Sequence, residues 1–338
     1  MRVLADGWYS WEISSWHPLT EIVSGVPERL RLRLLRNRVA RGLILAILAS
    51  RFDAVAVIRA DASWRTLLLM RALFGRRRKL VILHFIDHPP RAGGLGRAVD
   101  LLWRLIDRWA TARAMLSAQV LSASEGELYA RRFGIAPQRF VFIPFAWRIT
   151  AIDQPSPEPT NRHGVVAAGR AHCDWATLFA AAADSSWPLT VVCAEHDQQL
   201  VEQLNRDGRA TVHVDIPHEQ ARELLRRAAI SAMPMFDGEL SHGHVRLCDA
   251  VDAGAAVVTS MVKGFDGYIE SGRTALVVEP EDAGALRAGV EQLLADKQQR
   301  AALASTAYAR AAQWTWDHYL GALQDLAAGR TPLVPATK

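Results

Sequence analysis

The sequence has few cysteines and no long hydrophobic run. Its three cysteines, Cys173, Cys193 and Cys248, lie far apart and each sits in or next to an apolar segment. This spacing predicts neither a disulfide framework nor a metal cluster, and reduced thiols are typical of the cytosol. The longest apolar run of the first half covers residues 42–49, far short of the roughly 20 residues that span a bilayer. Polar and aromatic residues soon follow Met1, so we also expect no secretory signal.

The chain is basic but lacks a recognisable nucleic-acid-binding motif. Its net charge is +5, its pI is near 9.4, and arginines crowd residues 29–41 and 76–78. Such a charge favours an anionic partner, which is a phosphorylated substrate, a membrane surface or nucleic acid. Aromatic side chains are not interleaved with the basic ones as in a stacking platform. We therefore expect no nucleic-acid partner.

What the sequence does contain is a regular alternation of short apolar segments and segments of helical periodicity. Alternation of this kind predicts an α/β protein with parallel sheets, and 338 residues suffice for two domains. A proline-rich segment without periodicity interrupts the pattern and is typical of a linker. We predict an N-terminal domain over 1–148, a linker over 149–162, a C-terminal domain over 163–312, a final helix over 313–328 and a tail over 329–338.

Residues 27–50 carry apolar residues at helical spacing with arginines between them, which predicts one basic amphipathic helix. Two interpretations stay open at this point. The helix lies on an anionic membrane surface with its arginines toward the headgroups, or it covers the core of its own domain with a solvated basic face.

Two N-terminal stretches are candidates for binding and catalysis. After a strand over 2–5, an aromatic cluster that extends to Trp16 predicts either a platform for sugar rings or a packed loop. Its acceptor-binding candidates are Trp8, Tyr9, Trp11 and Glu12. A second strand, over 79–86, ends at Asp87 and His88. Ligands of parallel sheets bind at such strand ends, so this carboxylate and imidazole are the catalytic candidates.

The richest stretch of the second half is 241–259, which predicts a helix from near His244 followed by a buried strand. The residues before His244 are poor helix formers and leave free N–H groups at the helix start. A phosphate can bind there, approaching the backbone at Gly243, with Arg246 adding a positive charge. The alternative is an ordinary helix–strand connection. A second glycine, Gly169, follows the first strand of this half and is joined by Arg170, a pattern that admits a diphosphate.

These patterns resemble the GT-B glycosyltransferases, and the second half is similar to the retaining family-four (group 1) enzymes. Gly169-Arg170 is similar to the Gly-Arg turn of their C-terminal domain. Residues 249–258 line up with their Glu-Ala-Met-Ala-x-Gly-x-Pro-Val-Val segment, and residues 261–278 with the glycine-rich stretch and closing strand that follow. Trp314-Thr-Trp316 is similar to the start of their final helix. The resemblance covers about residues 164–327 and is only topological before that.

The resemblance implies two Rossmann-like doubly wound domains facing across a cleft, with the donor bound by the second and the acceptor by the first. It implies no cofactor and no metal, since the nucleoside diphosphate sugar is the co-substrate. Asp249 matches the glutamate that binds the donor ribose, Arg170 matches the phosphate-binding arginine, and His88 is similarly placed to a histidine beside the donor sugar. The donor-binding candidates are Gly169, Arg170, Glu239, Ser241, His242, Gly243, His244, Val245, Arg246, Asp249 and Lys263.

The sequence departs from the family pattern at two positions. The first glutamate of the family's Glu-x7-Glu pair falls at Ser241, which leaves Glu239, shifted by two residues, as the candidate carboxylate. The family's lysine after Gly-Arg is replaced by residues 172–174, His-Cys-Asp. Arg246 or Lys263 is then the candidate to supply the missing positive charge.

We therefore expect a cytoplasmic glycosyltransferase of the hexosyltransferase type, peripheral on the inner face of the cell membrane. It would move a sugar from a nucleoside diphosphate sugar such as a UDP-sugar to a glycan or lipid-linked acceptor in cell-surface polysaccharide or glycolipid synthesis. If the reaction inverts the anomeric carbon, Asp87 is the first candidate base, followed by Asp6 and Glu12. The alternatives are a GT-B nucleotide-sugar epimerase and a non-catalytic sugar- or membrane-binding partner of a polysaccharide assembly complex.

Overall fold

The computed structural model describes residues 1–6, 12–58, 62–75, 77–87, 94–145, 162–238 and 240–334. The chain divides into two compact units. Unit 1 contains residues 1–144 and 317–334, and unit 2 contains residues 145–316. The predicted linker lies outside the described residues except for Arg162. No helix in the described ranges is long and apolar enough to cross a bilayer.

Unit 1 is built on a parallel sheet with the strand order β2-β1-β3-β4-β5-β6. In chain order its first elements are β1 (Val3–Ala5), β2 (Trp16–Pro18), α1 (Leu19–Ile22), α2 (Glu28–Arg36), α3 (Arg38–Leu48), β3 (Ala54–Ile58), α4 (Ala62–Phe74), β4 (Leu80–Leu83), α5 (Gly94–Ala114), β5 (Met115–Val120), α6 (Glu125–Phe133) and β6 (Phe140–Phe142). The central strands are almost entirely apolar and buried, as expected for a parallel sheet covered on both faces.

The single helix predicted over residues 27–50 is wrong, because this segment forms two helices, α2 and α3. The break lies at Asn37, whose backbone is extended (φ −77°, ψ 108°). Its side-chain oxygen accepts a hydrogen bond from the backbone N–H of Ala40 at 3.0 Å, so Asn37 is the N-cap of α3. Neither interpretation of the basic face is decided by this break.

Unit 2 repeats the same architecture with the strand order β12-β11-β10-β7-β8-β9, again all parallel. Its elements are β7 (Val165–Gly169), α7 (Trp175–Ala182), β8 (Leu189–Cys193), α8 (Glu195–Leu204), β9 (Ala210–Val214), α9 (His218–Arg227), β10 (Ile230–Met233), α10 (His244–Asp252), β11 (Ala256–Ser260), β12 (Leu276–Val278), α11 (Ala283–Ala295) and α12 (Lys297–Ala312). The predicted alternation of strands and helices is confirmed throughout this unit.

The last helix, α13 (Trp316–Ala327), belongs to unit 1 from Asp317 onward. Two residues of β5 hold it to the sheet of that unit. Ser117 Oγ donates to the carbonyl oxygen of Leu326 at 2.9 Å, and Gln119 Nε2 donates to the hydroxyl oxygen of Tyr319 at 3.2 Å. Polar groups buried on β5 are therefore satisfied by a segment 200 or more residues away in sequence, as buried polar groups require.

His84, at the end of β4, gives unit 1 a pH-dependent stability. Burial lowers the pKa of His84 to about 4, and its Nε2 lies 3.1 Å from the Tyr319 hydroxyl. The unfolded chain binds this proton near pH 6.5, whereas the folded chain resists it down to about pH 4, so stability falls as the pH drops through this window. Between pH 7 and pH 5 the loss from this residue should be about 2 kcal/mol.

Replacing His84 with asparagine should remove this component of the pH dependence. Asparagine tolerates the left-handed backbone at this position (φ 48°). Urea unfolding at pH 7 and pH 5 measures the difference, with His196→Asn, an exposed histidine of unit 2, as the matched control. An unchanged pH dependence in His84→Asn would show that another group causes the acid sensitivity.

Candidate functional site

The candidate donor site of unit 2 is centred on the N-terminus of α10, and the predicted helix start at His244 is confirmed. Gly243 occupies the N-cap position with a left-handed backbone (φ 79°) and, as a glycine, brings no capping side chain of its own. A Cβ atom at Gly243 would come within 3.1 Å of Arg246 Nη2, Met235 Cε and Phe265 Cζ. A side chain at this position would therefore crowd these three neighbours, and the partial positive charge of the helix start favours an anion there.

Arg246 lies one turn into α10, and neutral groups hold its guanidinium. Its Nη1 is 3.0 Å from Cys173 Sγ and 3.4 Å from the Ala168 carbonyl oxygen, and its Nη2 contacts Met235 Sδ. Burial raises the pKa of the Cys173 thiol, although Arg246 acts in the opposite direction. Across the described ranges, no carboxylate lies within ion-pair distance of Arg246. A positive charge is therefore held in place beside the ends of two strands without an anionic partner.

Gly169, the last residue of β7, is what allows Arg246 to approach the sheet this closely. A Cβ atom on Gly169 would lie 2.3 Å from both Arg246 Nη1 and Cys173 Sγ. Such contacts do not occur in folded proteins, so any larger residue would displace the guanidinium or the thiol. The glycine of the Gly-Arg pattern is thus required sterically, because Arg246 and Cys173 leave no room for a side chain at position 169.

Arg170, the predicted phosphate ligand, is exposed and forms an ion pair with Asp215 at the end of β9. The other carboxylate oxygen of Asp215 accepts the backbone N–H of Glu195 at 3.0 Å. Because an exposed ion pair contributes little free energy, Arg170 can exchange this partner for a phosphate at small cost.

Asp249, the predicted ribose ligand, is held by two residues of α9 that the sequence analysis did not identify. His218 Nε2 lies 2.7 Å from Asp249 Oδ2, and Arg222 Nε lies 3.7 Å from Asp249 Oδ1. Arg222 also forms an ion pair with Asp252, one turn further along α10. A histidine and an arginine four residues apart share a helix face. This four-residue spacing at the start of α9 is the sequence feature that could have identified His218 and Arg222.

The side chain of His244 joins α10 to the turn after β11. Its Nε2 lies 2.8 Å from the carbonyl oxygen of Gly264, and its ring packs against Phe265 and Tyr268. His244 is buried. The imidazole of His244 is therefore held by the fold, whereas its backbone N–H belongs to the first turn of α10.

The remaining predicted donor residues divide into buried and exposed positions. Ser241 is buried, whereas Val245 and Lys263 are exposed. The imidazole of His242 stacks on that of His172, with ring centroids 3.5 Å apart and an angle of 15° between the planes. His172 follows Arg170 at the place of the family's lysine, so this stack brings a second ionisable group beside the helix start. Glu239 lies outside the described residues.

In unit 1, the carboxylate of Asp87 is buried and engaged by two arginines. Arg132 Nη1 lies 3.0 Å and Arg104 Nη1 3.8 Å from Asp87 Oδ2. The backbone N–H of Asp87 donates to the hydroxyl of Tyr129 at 3.3 Å. These contacts fix the orientation of the carboxylate in the loop after β4, and the catalytic role of Asp87 stays a prediction.

Other predicted residues of unit 1 are less favourably placed or not described. Trp16 begins strand β2 and is buried, which agrees with the packed alternative for this residue of the aromatic cluster. Asp6, a secondary base candidate, accepts a hydrogen bond from Arg41 Nε at 2.8 Å. Glu12 is exposed. His88, Trp8, Tyr9 and Trp11 lie outside the described residues. Within the described ranges, no group of three or more His, Cys, Asp or Glu side chains is arranged to hold a metal ion.

Residues 168–296 match the family model described as glycosyl transferases group 1. Over 129 residues the chain is 29% identical to D-inositol 3-phosphate glycosyltransferase of Corynebacterium urealyticum, a match that covers 38% of this chain and 30% of that protein. The chain thus matches less than a third of this curated relative's length. The predicted resemblance to the group 1 glycosyltransferases is confirmed over this segment.

The fold as a whole is similar to solved GT-B structures. HepE from Anabaena, solved in complex with UDP, has a TM-score of 0.71 at 15% identity, and the match covers 97% of this chain and 100% of that one. Sucrose-phosphate synthase from Thermosynechococcus elongatus has a TM-score of 0.65 at 18% identity, covering 90% of this chain and 79% of that one. The predicted α/β fold of the GT-B type, with two Rossmann-like units, is confirmed.

Proposed function

We propose that this chain, whose residues 168–296 match the group 1 glycosyl transferases, transfers a sugar from a UDP-sugar to an acceptor. The observation that carries the proposal is the guanidinium of Arg246, held near the start of α10 by neutral sulfur and carbonyl groups. Transfer releases a nucleoside diphosphate, whose negative charge grows in the transition state. A preorganised positive charge and free amides are what stabilise such a leaving group.

The choice of uridine diphosphate is supported by similar proteins and not by a contact of this chain. HepE was solved with UDP and with UDP-glucose. In our proposal Asp249 accepts hydrogen bonds from the ribose hydroxyls, and Arg246 and Arg170 bind the diphosphate. A metal ion is not required in this arrangement, because the arginines supply the positive charge that a metal would otherwise bring.

We also propose a class of acceptor and a cellular location. We propose a glycan or lipid-linked acceptor in cell-surface polysaccharide or glycolipid synthesis, bound by unit 1. The enzyme would be cytoplasmic and peripheral on the inner face of the membrane. The basic residues of unit 1 support this location, since anionic leaflets attract such segments.

A thermal-shift screen against nucleoside diphosphates and their sugars tests the donor proposal directly. A ligand that binds only the folded state raises the melting temperature, and the increase grows with the logarithm of the ligand concentration above its dissociation constant. UDP and a UDP-sugar should stabilise the chain, whereas UMP should do so less because it lacks the second phosphate. Failure of every nucleoside diphosphate to stabilise it would favour the non-catalytic alternative. Release of UDP only when an acceptor is added would separate a transferase from an epimerase.

The role of Asp249 can be separated from that of the arginines by changing the ribose. Asp249→Asn should weaken UDP about five- to tenfold, since a charged acceptor of two hydroxyl hydrogen bonds becomes neutral. It should leave the affinity for 2′,3′-dideoxy-UDP nearly unchanged, because that ligand lacks the hydroxyls. Calorimetry with both ligands measures the two effects. An equal loss for both would mean that Asp249 acts through the fold, by way of His218 and Arg222.

A further inference from the structure

Helix α5 has a second apolar face that its own unit does not cover. Leu101, Leu105 and Trp109 follow one another at four-residue intervals and are 62%, 59% and 47% exposed. Residues four apart share one face of a helix. The opposite face, with Ala110 and Ala114, is buried against the unit. We call the three exposed residues the outer stripe of α5.

A basic pocket lies at the C-terminal end of the outer stripe. It has a volume of about 430 Å³ and is lined by Gly75, Arg77, Arg78, Trp109, Ala112 and Arg113. Three arginines thus surround an exposed tryptophan. The one carboxylate that the sequence places between residues 101 and 114 is that of Asp107, which is buried. The surface is therefore apolar along the helix and positive at its end.

A second pair of exposed apolar residues comes directly before Gly75, which lines the pocket. Leu73 and Phe74 end helix α4, immediately before Gly75, and they are 58% and 73% exposed. Large apolar side chains that stay in water at the ends of two adjacent helices need an explanation, because contiguous exposed patches mark interaction surfaces. Leucine and tryptophan next to arginines form the pattern of helices that lie in a membrane interface, where the apolar residues enter the acyl boundary and the arginines meet phosphates.

We infer that the outer stripe of α5 docks on an anionic lipid bilayer, with a lipid phosphate bound by Arg77 and Arg78 in the pocket beside Trp109. The charge of the surface selects an anionic lipid over a zwitterionic one. This inference rests on the proposed peripheral location for the choice of a lipid partner, but it does not depend on the transfer reaction. It also moves the membrane-binding surface from residues 27–50, where the sequence pattern alone suggested it, to α5 and the end of α4.

Vesicle sedimentation of the full chain without nucleotide tests the inference. The vesicles would contain phosphatidylcholine alone or with roughly 30% phosphatidylglycerol at low salt, where attraction to anionic lipid is strongest. The chain should bind only the anionic vesicles. Leu105→Ser/Trp109→Ser should lower the partition coefficient at least tenfold. Arg77→Gln/Arg78→Gln should lower it about 25-fold, that is about fivefold for each basic residue near the surface. These variants replace exposed side chains, and far-UV circular dichroism verifies their folding.

The matched control is Val39→Ser/Ile47→Ser on α3, which also removes two exposed apolar residues. It should bind vesicles like the unchanged chain. Loss of binding in this control with retention in the α5 variants would overturn the inference in favour of the α2–α3 surface. Absence of binding to anionic vesicles would overturn it altogether, and so would a concentration-dependent dimer that dissociates in the α5 variants, because the stripe would then be an interface between protein chains. Binding of UDP, measured separately on the same samples, shows whether the proposed donor site stands independently.

Discussion

Replacing Arg246 with alanine should weaken UDP binding by about 10- to 100-fold, the loss expected for a charge-assisted hydrogen bond to phosphate. The guanidinium is held by Cys173 Sγ and a backbone carbonyl, so its positive charge is not paired with a carboxylate of the described residues. Uridine, which has no phosphate, should bind the variant as it binds the unchanged chain. Calorimetry with UDP and ligand-observed NMR with uridine measure the two affinities.

Arg246→Lys should recover part of the loss, since it restores the charge but not the planar pair of donors. Equal affinity of the alanine variant and the unchanged chain for UDP would show that the diphosphate is bound elsewhere. Urea unfolding of each variant excludes a trivial explanation, because Arg246 also packs between β7 and β10. A loss of affinity that merely followed a loss of stability would not support the proposed role.

Gly169→Ala tests the same guanidinium of Arg246 by displacing it instead of deleting it. The added methyl group would lie 2.3 Å from Arg246 Nη1, so the guanidinium must move while the charge remains. The affinity for UDP should therefore fall even though no ligand group is deleted. Gly321→Ala on α13, where a Cβ atom meets nothing within 4 Å, is the matched glycine control and should bind UDP normally.

The features of unit 2 that the sequence predicted are those that local patterns can show. Gly243 and Gly254 marked the two ends of α10, and both have the left-handed backbone that favours glycine. The apolar run over 255–258 identified β11, because parallel strands buried on both faces carry nearly continuous apolar runs. The Gly-Arg turn was visible as a motif, although its steric reason, the approach of Arg246 and Cys173 to Gly169, required the folded chain.

The features that the sequence did not predict depend on contacts between distant segments. The partners of Asp249, His218 and Arg222, lie about thirty residues earlier and reach it only because α9 and α10 pack side by side. The sequence pattern alone predicts a helix over about 95–116 and a strand only from Gln119. That strand start is wrong, because β5 begins at Met115. Residues 110–118 contain no glycine or proline to mark the change from helix to strand, so pairing with β4 decides it.

A buried carboxylate in unit 1 was also overlooked, because Glu125 looks like an ordinary residue of a helical first turn. It is completely buried. Its Oε2 accepts the backbone N–H groups of Leu121 and Ser122 at 3.1 and 3.2 Å, and its Oε1 accepts the hydroxyl of Tyr129 at 3.1 Å. The Tyr129 oxygen in turn accepts the backbone N–H of Asp87. One side chain thus connects the turn after β5, helix α6 and the loop after β4.

Glu125→Ala should therefore lower the free energy of unfolding by about 3–5 kcal/mol, because it leaves two backbone N–H groups and a phenol without their acceptor in a dry interior. Glu125→Gln, which keeps an oxygen acceptor, should cost clearly less. The matched control is Glu127→Ala on the same helix, whose exposed carboxylate pairs only with Arg131 among the described contacts and should change the unfolding free energy little. Urea unfolding measures all three variants. A loss in Glu125→Ala no larger than in Glu127→Ala would mean that the turn after β5 holds its conformation without the carboxylate, and that this connection is a consequence of the fold and not one of its causes.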